Sequence, residues 1–244
     1  MTSPQPRKPA EHVERTLCVL AHPDDVDFGS AGTVATWTAA GTEVTYLIVT
    51  DGDAGGFDDT PRAQMGPLRR AEQEAAAKAV GVTDVRFLGH PDGRLELTLD
   101  LRRDISRVIR QVRPQRVLTS SPERMWDRIG ASHPDHMTVG ESTLRAVYPD
   151  ARNPFAFPEL LADEGLEPWT VSEVWLGASP RADHVVDVTD VVELKFAALN
   201  SHLTQVSHLD DLEGFVTDWM RQTGRRLGLP PGRLGEAFQV VHTQ

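Results

Sequence analysis

Four short runs of β-branched and aliphatic residues recur in the first half of the chain, each followed by a polar loop and then by a stretch of helical character. The runs are TLCVLA (16–21), EVTYLIVT (43–50), VRFLG (85–89) and RVLTSSP (116–122), with helical patterns at 32–40, 67–80 and 99–112 between them. Strands that alternate with helices pair in parallel, because a parallel pair needs a long crossover, and the helices then cover the sheet. The continuous apolar stretch of EVTYLIVT fits a strand covered on both faces. The predicted fold is α/β: a Rossmann-like, mainly parallel sheet with helices on both faces.

Punctuation supports these limits. PLRRAEQEAAAKAV (67–80) places proline in its first turn and is followed by Gly81, and GTVATWTAA (32–40) stops at Gly41. ASHPDHMTVGESTLRAV (131–147) reads as a loop entering a helix, and residues 149–168 as an irregular, proline-bearing excursion. EVWLG (173–177), HVVDV (184–188) and AFQVV (237–241) are predicted as late strands, and 191–206 and 209–227 as helices. The pattern is unbroken, so residues 16–244 are expected to form one domain after a loose polar tail, 1–15.

In open parallel sheets ligands bind beyond the carboxyl ends of the strands. AHPDD (21–25), DGDAGG (51–56), HPDGR (90–94) and the segment 120–136 all follow strands directly, so their polar residues gather at one edge. A dinucleotide enzyme would need GxGxxG after the first strand, where this chain has HPDD, whose carboxylates repel a pyrophosphate. A net charge of −11 argues against nucleic acid and anionic membranes as partners. No window approaches the roughly 18 apolar residues of a membrane span, so none is expected. The single cysteine, Cys18, lies in the first apolar run, which excludes an internal disulfide and suits a reducing, cytoplasmic compartment.

Catalytic zinc takes three protein ligands, from His nitrogen or carboxylate oxygen, and leaves one position for water. AHPDD offers His22 and Asp25, three residues apart; HPDH offers His133 and His136, also three apart and on one face of a helix start. Asp24 and Asp25 alone would also suit a helix cap, and an HxxH pair alone a surface helix. On two strand exits of one parallel sheet, the two fragments together point to one metal site at the C-terminal edge.

AHPDD with the downstream GxxGT (Gly29, Gly32, Thr33), together with HPDH, resembles the LmbE or PIG-L family of zinc-dependent N-deacetylases. Further positions agree from about residue 16 to 206: Arg69 and Glu72 in an RxxE segment, Asp92 and Gly93 in a DG loop, and Lys195, His202 and Gln205 in a later K…H..Q segment. The resemblance implies a hydrolase that removes N-acetyl groups from N-acetylglucosamine conjugates, in thiol-cofactor or natural-product biosynthesis, and that forms a homo-oligomer. It implies His22, Asp25 and His136 as ligands of Zn2+, or of another divalent ion such as Fe2+, and Asp24 as general base. His133 would face the oxyanion or the leaving amine, with Asp135 orienting its ring and raising its pKa. Arg69, Asp92 and His202 would meet the aminosugar substrate, and Trp126, on the loop before HPDH, offers an aromatic platform for a sugar ring.

Two positions depart from the family pattern. Asp27 stands where glutamate is usual, and Ala131 where some members carry a tyrosine, for which Arg124 or Arg128 would have to substitute. Two other readings remain open: an amidase for a different amide such as a thiol conjugate, and a metal-binding relative without catalysis. The presence of Asp24 argues against the second.

Overall fold

In the computed structural model, which describes residues 8–10 and 12–243, seven strands form one sheet in the order β3-β2-β1-β4-β5-β7-β6. They are β1 (Arg15–Leu20), β2 (Glu43–Thr50), β3 (Asp84–His90), β4 (Arg116–Ser120), β5 (Glu173–Gly177), β6 (His184–Asp187) and β7 (Gly235–His242). The first five run parallel; β7 is antiparallel to both β5 and β6. The expected mainly parallel sheet is therefore present, and the late strands add the one reversal.

Alternation along β1 divides the core. Cys18 and Leu20 pack on one face with Val26, Val34, Trp37, Tyr46 and Trp175, while Leu17 and Val19 face Ile105, Ile109 and Val139 on the other. The helices are α1 (Asp25–Ala39), α2 (Arg62–Ala79), α3 (Leu99–Val112), α4 (Pro134–Arg145), the short α5 (Glu159–Ala162), α6 (Val192–Leu199), α7 (Leu203–Val206) and α8 (Leu212–Arg226). None is long and apolar enough to cross a membrane.

Several boundaries differ from the sequence expectation. The first helix starts at Asp25 rather than at 32, because its opening turns bury residues on more than one side, Val26, Asp27, Ser30 and Ala31 among them, and so show no amphipathic stripe. The second begins at Arg62, one turn before Pro67. The segment expected as one helix over 191–206 breaks at Asn200–His202, where fully buried His202 turns inward. Part of the stretch expected as a loose tail is held: Ala10 donates its N–H to Glu173 (3.1 Å), Arg116 donates to the Ala10 carbonyl (2.8 Å), and Val13 is buried. Residues 1–7 and 11 of that stretch lie outside the described residues. The excursion after α4 is pinned from below by Arg110, which donates to the carbonyls of Asp150, Ala151, Asn153 and Ala156.

Candidate metal centre

The turn after β1 is built around an unusual backbone. Asp24 has φ 94° and ψ −25°, a left-handed conformation that costs a side-chain-bearing residue on the order of 1–3 kcal/mol unless its surroundings hold it. Here α2 holds it. Gln73 Oε1 accepts the Asp24 N–H at 2.8 Å, while Arg69 donates through Nη2 to the Pro23 carbonyl (2.5 Å) and to Asp24 Oδ2 (2.9 Å), and through Nη1 to the Gly52 carbonyl (2.9 Å). Neither aspartate caps α1 in the usual way: Asp24 makes no side-chain cap, and Asp25 Oδ2 accepts the His22 N–H at 2.8 Å.

Against this turn stands the start of α4, where Pro134 occupies the first turn and His136 follows. His22 Nδ1 lies 3.2 Å from His136 Nε2 and 3.4 Å from Asp25 Oδ2, and His136 Nε2 lies 2.9 Å from Asp25 Oδ1. Zinc bonds of 2.0–2.2 Å in a tetrahedron require ligand atoms roughly 3.3–3.6 Å apart, and the three separations lie within about 0.4 Å of that window, so small shifts let these residues hold the ion. His133 also brings a ring nitrogen within 4.8 Å of the other two histidines, and His22, Asp92 and Asp135 form a second group of that spacing. On its far side the His22 ring meets two more carboxylates, Asp92 Oδ1 at 2.9 Å and Asp135 Oδ2 at 3.3 Å from Nε2. A histidine that donates one N–H to a carboxylate presents its other nitrogen to a metal in a fixed tautomer.

The electrostatics agree. Burial opposes charge on His22, yet Asp25, Asp135 and Asp92 outweigh it and push the ring up to about 12. Burial works to raise Asp25, but His136 and His22 hold it well below the usual carboxylate range. The pocket thus carries more negative charge than its histidines relieve, a condition that a divalent cation discharges. Asp24 is different: burial raises its carboxyl to about 6, against the pull of Arg69.

The structure brings together His22, Asp25 and His136 as predicted, with Asp24, Arg69, Asp92 and His133 lining the same cleft. Other residues sit elsewhere. Asp135 does not orient His133 through its carboxylate, which instead faces His22 and accepts the N–H groups of Gly93 (2.7 Å) and Leu95 (3.2 Å). The contact to His133 runs the other way, the Asp135 backbone N–H donating to His133 Nδ1 at 3.2 Å. Nor is the His133 ring raised: burial, with His22 and His136 beside it, lowers it.

His202 lies behind the cleft, its Nε2 2.8 Å from Asp27 Oδ2, rather than facing substrate. Arg69 has its guanidinium bound to the chain itself. Trp126, Arg124 and Arg128 border a neighbouring cavity instead of the cleft, so neither arginine replaces the missing tyrosine beside the histidines. Gln73 was missed by sequence reasoning, although it lies four residues after Arg69, one turn along the same helix face.

Comparison with known proteins is consistent with this geometry. The PIG-L family profile, described as GlcNAc-PI de-N-acetylase, matches residues 17–147. A diacetylchitobiose deacetylase of Thermococcus kodakarensis is 33% identical over 199 residues, covering 81% of this chain and 72% of its own. A 1D-myo-inositol 2-acetamido-2-deoxy-alpha-D-glucopyranoside deacetylase of Streptomyces avermitilis is 30% identical over 231 residues, covering 84% and 74%. Among solved structures, the N,N'-diacetylchitobiose deacetylase of Pyrococcus horikoshii superposes with a TM-score of 0.85 at 29% identity, over 94% of this chain and 84% of that one.

Proposed function

The chain belongs to the PIG-L family, and from that premise we propose that it is a metal-dependent hydrolase that removes the N-acetyl group from an N-acetylglucosamine-type conjugate. The observation that carries the reading is the division of labour between adjacent aspartates. Asp25 joins His22 and His136 around one point, whereas Asp24 lines the same cleft but is bound to Arg69. A hydrolytic metal site needs such a carboxylate beside the ion rather than on it, so that it can accept a proton.

His22, Asp25 and His136 would hold the ion, zinc or another divalent metal. When bound, the ion supplies Lewis acidity toward the acetamide carbonyl and lowers the pKa of its water. Asp24, raised by burial to about 6, would take the proton from a water attacking the acetyl carbon. His133 is the hydrogen-bond donor of the site. Because its Nδ1 accepts a backbone N–H, its neutral ring carries the proton on Nε2, and the ring lines the cleft. Nε2–H can donate a hydrogen bond to the carbonyl oxygen as charge develops there, while the proton accepted by Asp24 passes to the departing amine. Collapse of the tetrahedral intermediate then releases acetate and the free amine.

The substrate partner on this reading is a small aminosugar conjugate. Buried, unpaired Cys18 suits a reducing cytoplasm, and the family resemblance supports self-association. The test is metal analysis together with acetate release from a panel of N-acetylglucosaminyl compounds, for the wild type and Asp24→Asn. The expected result is about one metal per chain in both proteins, with the variant slower on the order of 10²–10⁴-fold, the usual contribution of a general base. Full activity in Asp24→Asn, or a protein that acquires no stoichiometric metal, sinks the assignment.

A further inference from the structure

Beside the metal cleft, a second cavity of about 690 Å³ opens past the ends of β4 and β5. The 3-10 segment Trp126–Ser132 separates the two spaces: Trp126, Asp127 and Arg128 line the larger one, while Gly130 and the following His133 line the cleft. Three arginines border the larger cavity, Arg124, Arg128 and Arg226. None has a carboxylate within ion-pair distance among the described residues, although Arg69, Arg102, Arg116 and Arg233 elsewhere are all so paired in this chain of net charge −11.

Two of the three are arranged on aromatic rings. The Arg128 guanidinium lies 4.7 Å from the centroid of Trp219, and that of Arg124 5.6 Å from Trp126. Burial and the like charge of Arg226 both act on Arg128. The acidic groups bordering the same space are Asp127 and Glu236, and Glu236 is neutralised by Lys195 at 2.7 Å. Three cations therefore face one uncompensated carboxylate. A stacked guanidinium loses little freedom on binding and presents a planar fork suited to carboxylate or phosphate, and the indoles offer flat apolar surface beside it.

We propose that this cavity receives the portion of the substrate beyond the aminosugar, and that this portion is a ring-bearing or apolar body carrying an anionic group, a carboxylate or a phosphate. The proposal rests on the deacetylase reading for the reaction that follows, but not for the binding itself. The shared 3-10 wall places the anionic end on one side of residues 126–132 and the acetamide on the other, so the cavity selects among conjugates without taking part in the chemistry.

Two matched probes test it: the 4-carboxyphenyl and 4-carbamoylphenyl glycosides of N-acetylglucosamine, alike in shape and different in charge. With wild type, Arg128→Gln/Arg226→Gln and Asp127→Asn, kcat and KM are measured by acetate release, and binding by quenching of tryptophan fluorescence. The double variant is expected to raise KM for the carboxylate on the order of tenfold, the worth of one charge-assisted bond, with kcat unchanged and the amide unaffected. Asp127→Asn is expected to tighten binding of the carboxylate alone. Equal losses on both probes, or no loss on either, overturn the proposal. If neither glycoside is hydrolysed, the deacetylase reading fails for these compounds. The fluorescence comparison still decides the cavity, since charge-dependent quenching that the double variant abolishes supports it and charge-independent quenching refutes it.

Discussion

At the scale of single residues, the direction a polar side chain takes around the candidate site is set by partners far away along the chain. AHPDD and HPDH, through the family resemblance, nominated His22, Asp25 and His136 as ligands, and the fold brings those three side chains within 2.9–3.4 Å of one another. The directions of Asp92 and Asp135 did not follow, because a carboxylate on a loop or in the first turn of a helix turns wherever backbone N–H groups and rings place it, and here both turn to His22. Asp27 is the instructive case. It is fully buried, and Oδ2 takes both Gln73 Nε2 and His202 Nε2 at 2.8 Å, while Oδ1 has no partner. The shorter side chain thus keeps a polar network behind the turn that follows β1 instead of losing it. Gln73 is the hinge of that network, since its amide nitrogen donates to Asp27 while its oxygen accepts from the left-handed Asp24. Gln73→Leu should therefore cost about 1–3 kcal/mol of stability, the price of buried polar groups left unpaired. It should also lower kcat at least several-fold with KM and metal content little changed, because Asp24 loses its register while the ligands stay. Unfolding curves, metal analysis and steady-state kinetics check this together, and an unchanged kcat would show that Gln73 only packs.

Among elements, those with a strong internal signal were legible and those governed by tertiary contacts were not. α3 falls at the predicted residues, 99–112, because Thr98 caps it through the Leu101 N–H (3.1 Å) and one face is apolar. The break between α6 and α7 left no local mark. It exists because His202 must reach Asp27, 175 residues away along the chain, and an unbroken helix would not allow it. α4 joins the two cases, since its start was readable and its seating was not. Gly140 lies so close to the end of β4 that a Cβ there would overlap the Ser120 carbonyl oxygen. His133, His136 and Gly140 follow at i, i+3 and i+7, so the face that packs on β4 is the face that carries the histidines. Gly140→Ala should push α4 outward, destabilise the protein by about 1–3 kcal/mol as overpacking does, and weaken metal binding by moving His136. Gly29→Ala, where a Cβ meets nothing within 4 Å, is the matched control and should leave both properties near wild type. Equal melting temperatures and metal affinities for the two variants would disprove the close approach.

Across the whole molecule, distant parts of the chain are tied by a few buried polar links. Lys195 on α6 binds Glu236 on β7 at 2.7 Å and donates to the carbonyls of Asp27 and Phe28, while Glu236 accepts the N–H groups of Gly32 and Thr33. α1, α6 and β7 thus share one fully buried ion pair, which leaves a costly unpaired charge if either partner is removed. The candidate metal site is a tie of the same kind at the very start of α1, joining residues 22 and 25 to residue 136 across the β1 and β4 exits. An ion held there binds the folded chain and not the unfolded one, whose ligands are scattered, so it should stabilise by mass action: about 2.7 kcal/mol when free metal is a hundredfold above Kd. For a chain of this length each kcal/mol moves Tm by roughly 2–4 °C, so zinc should raise Tm by about 5–10 °C over a chelated sample. His136→Ala, which keeps the turn after β1 but removes the strand-spanning ligand, should melt at the same temperature with zinc as with chelator. A zinc-dependent shift that survived in His136→Ala would mean that the stabilising ion sits elsewhere, and the His22, Asp25, His136 assignment would fall with it.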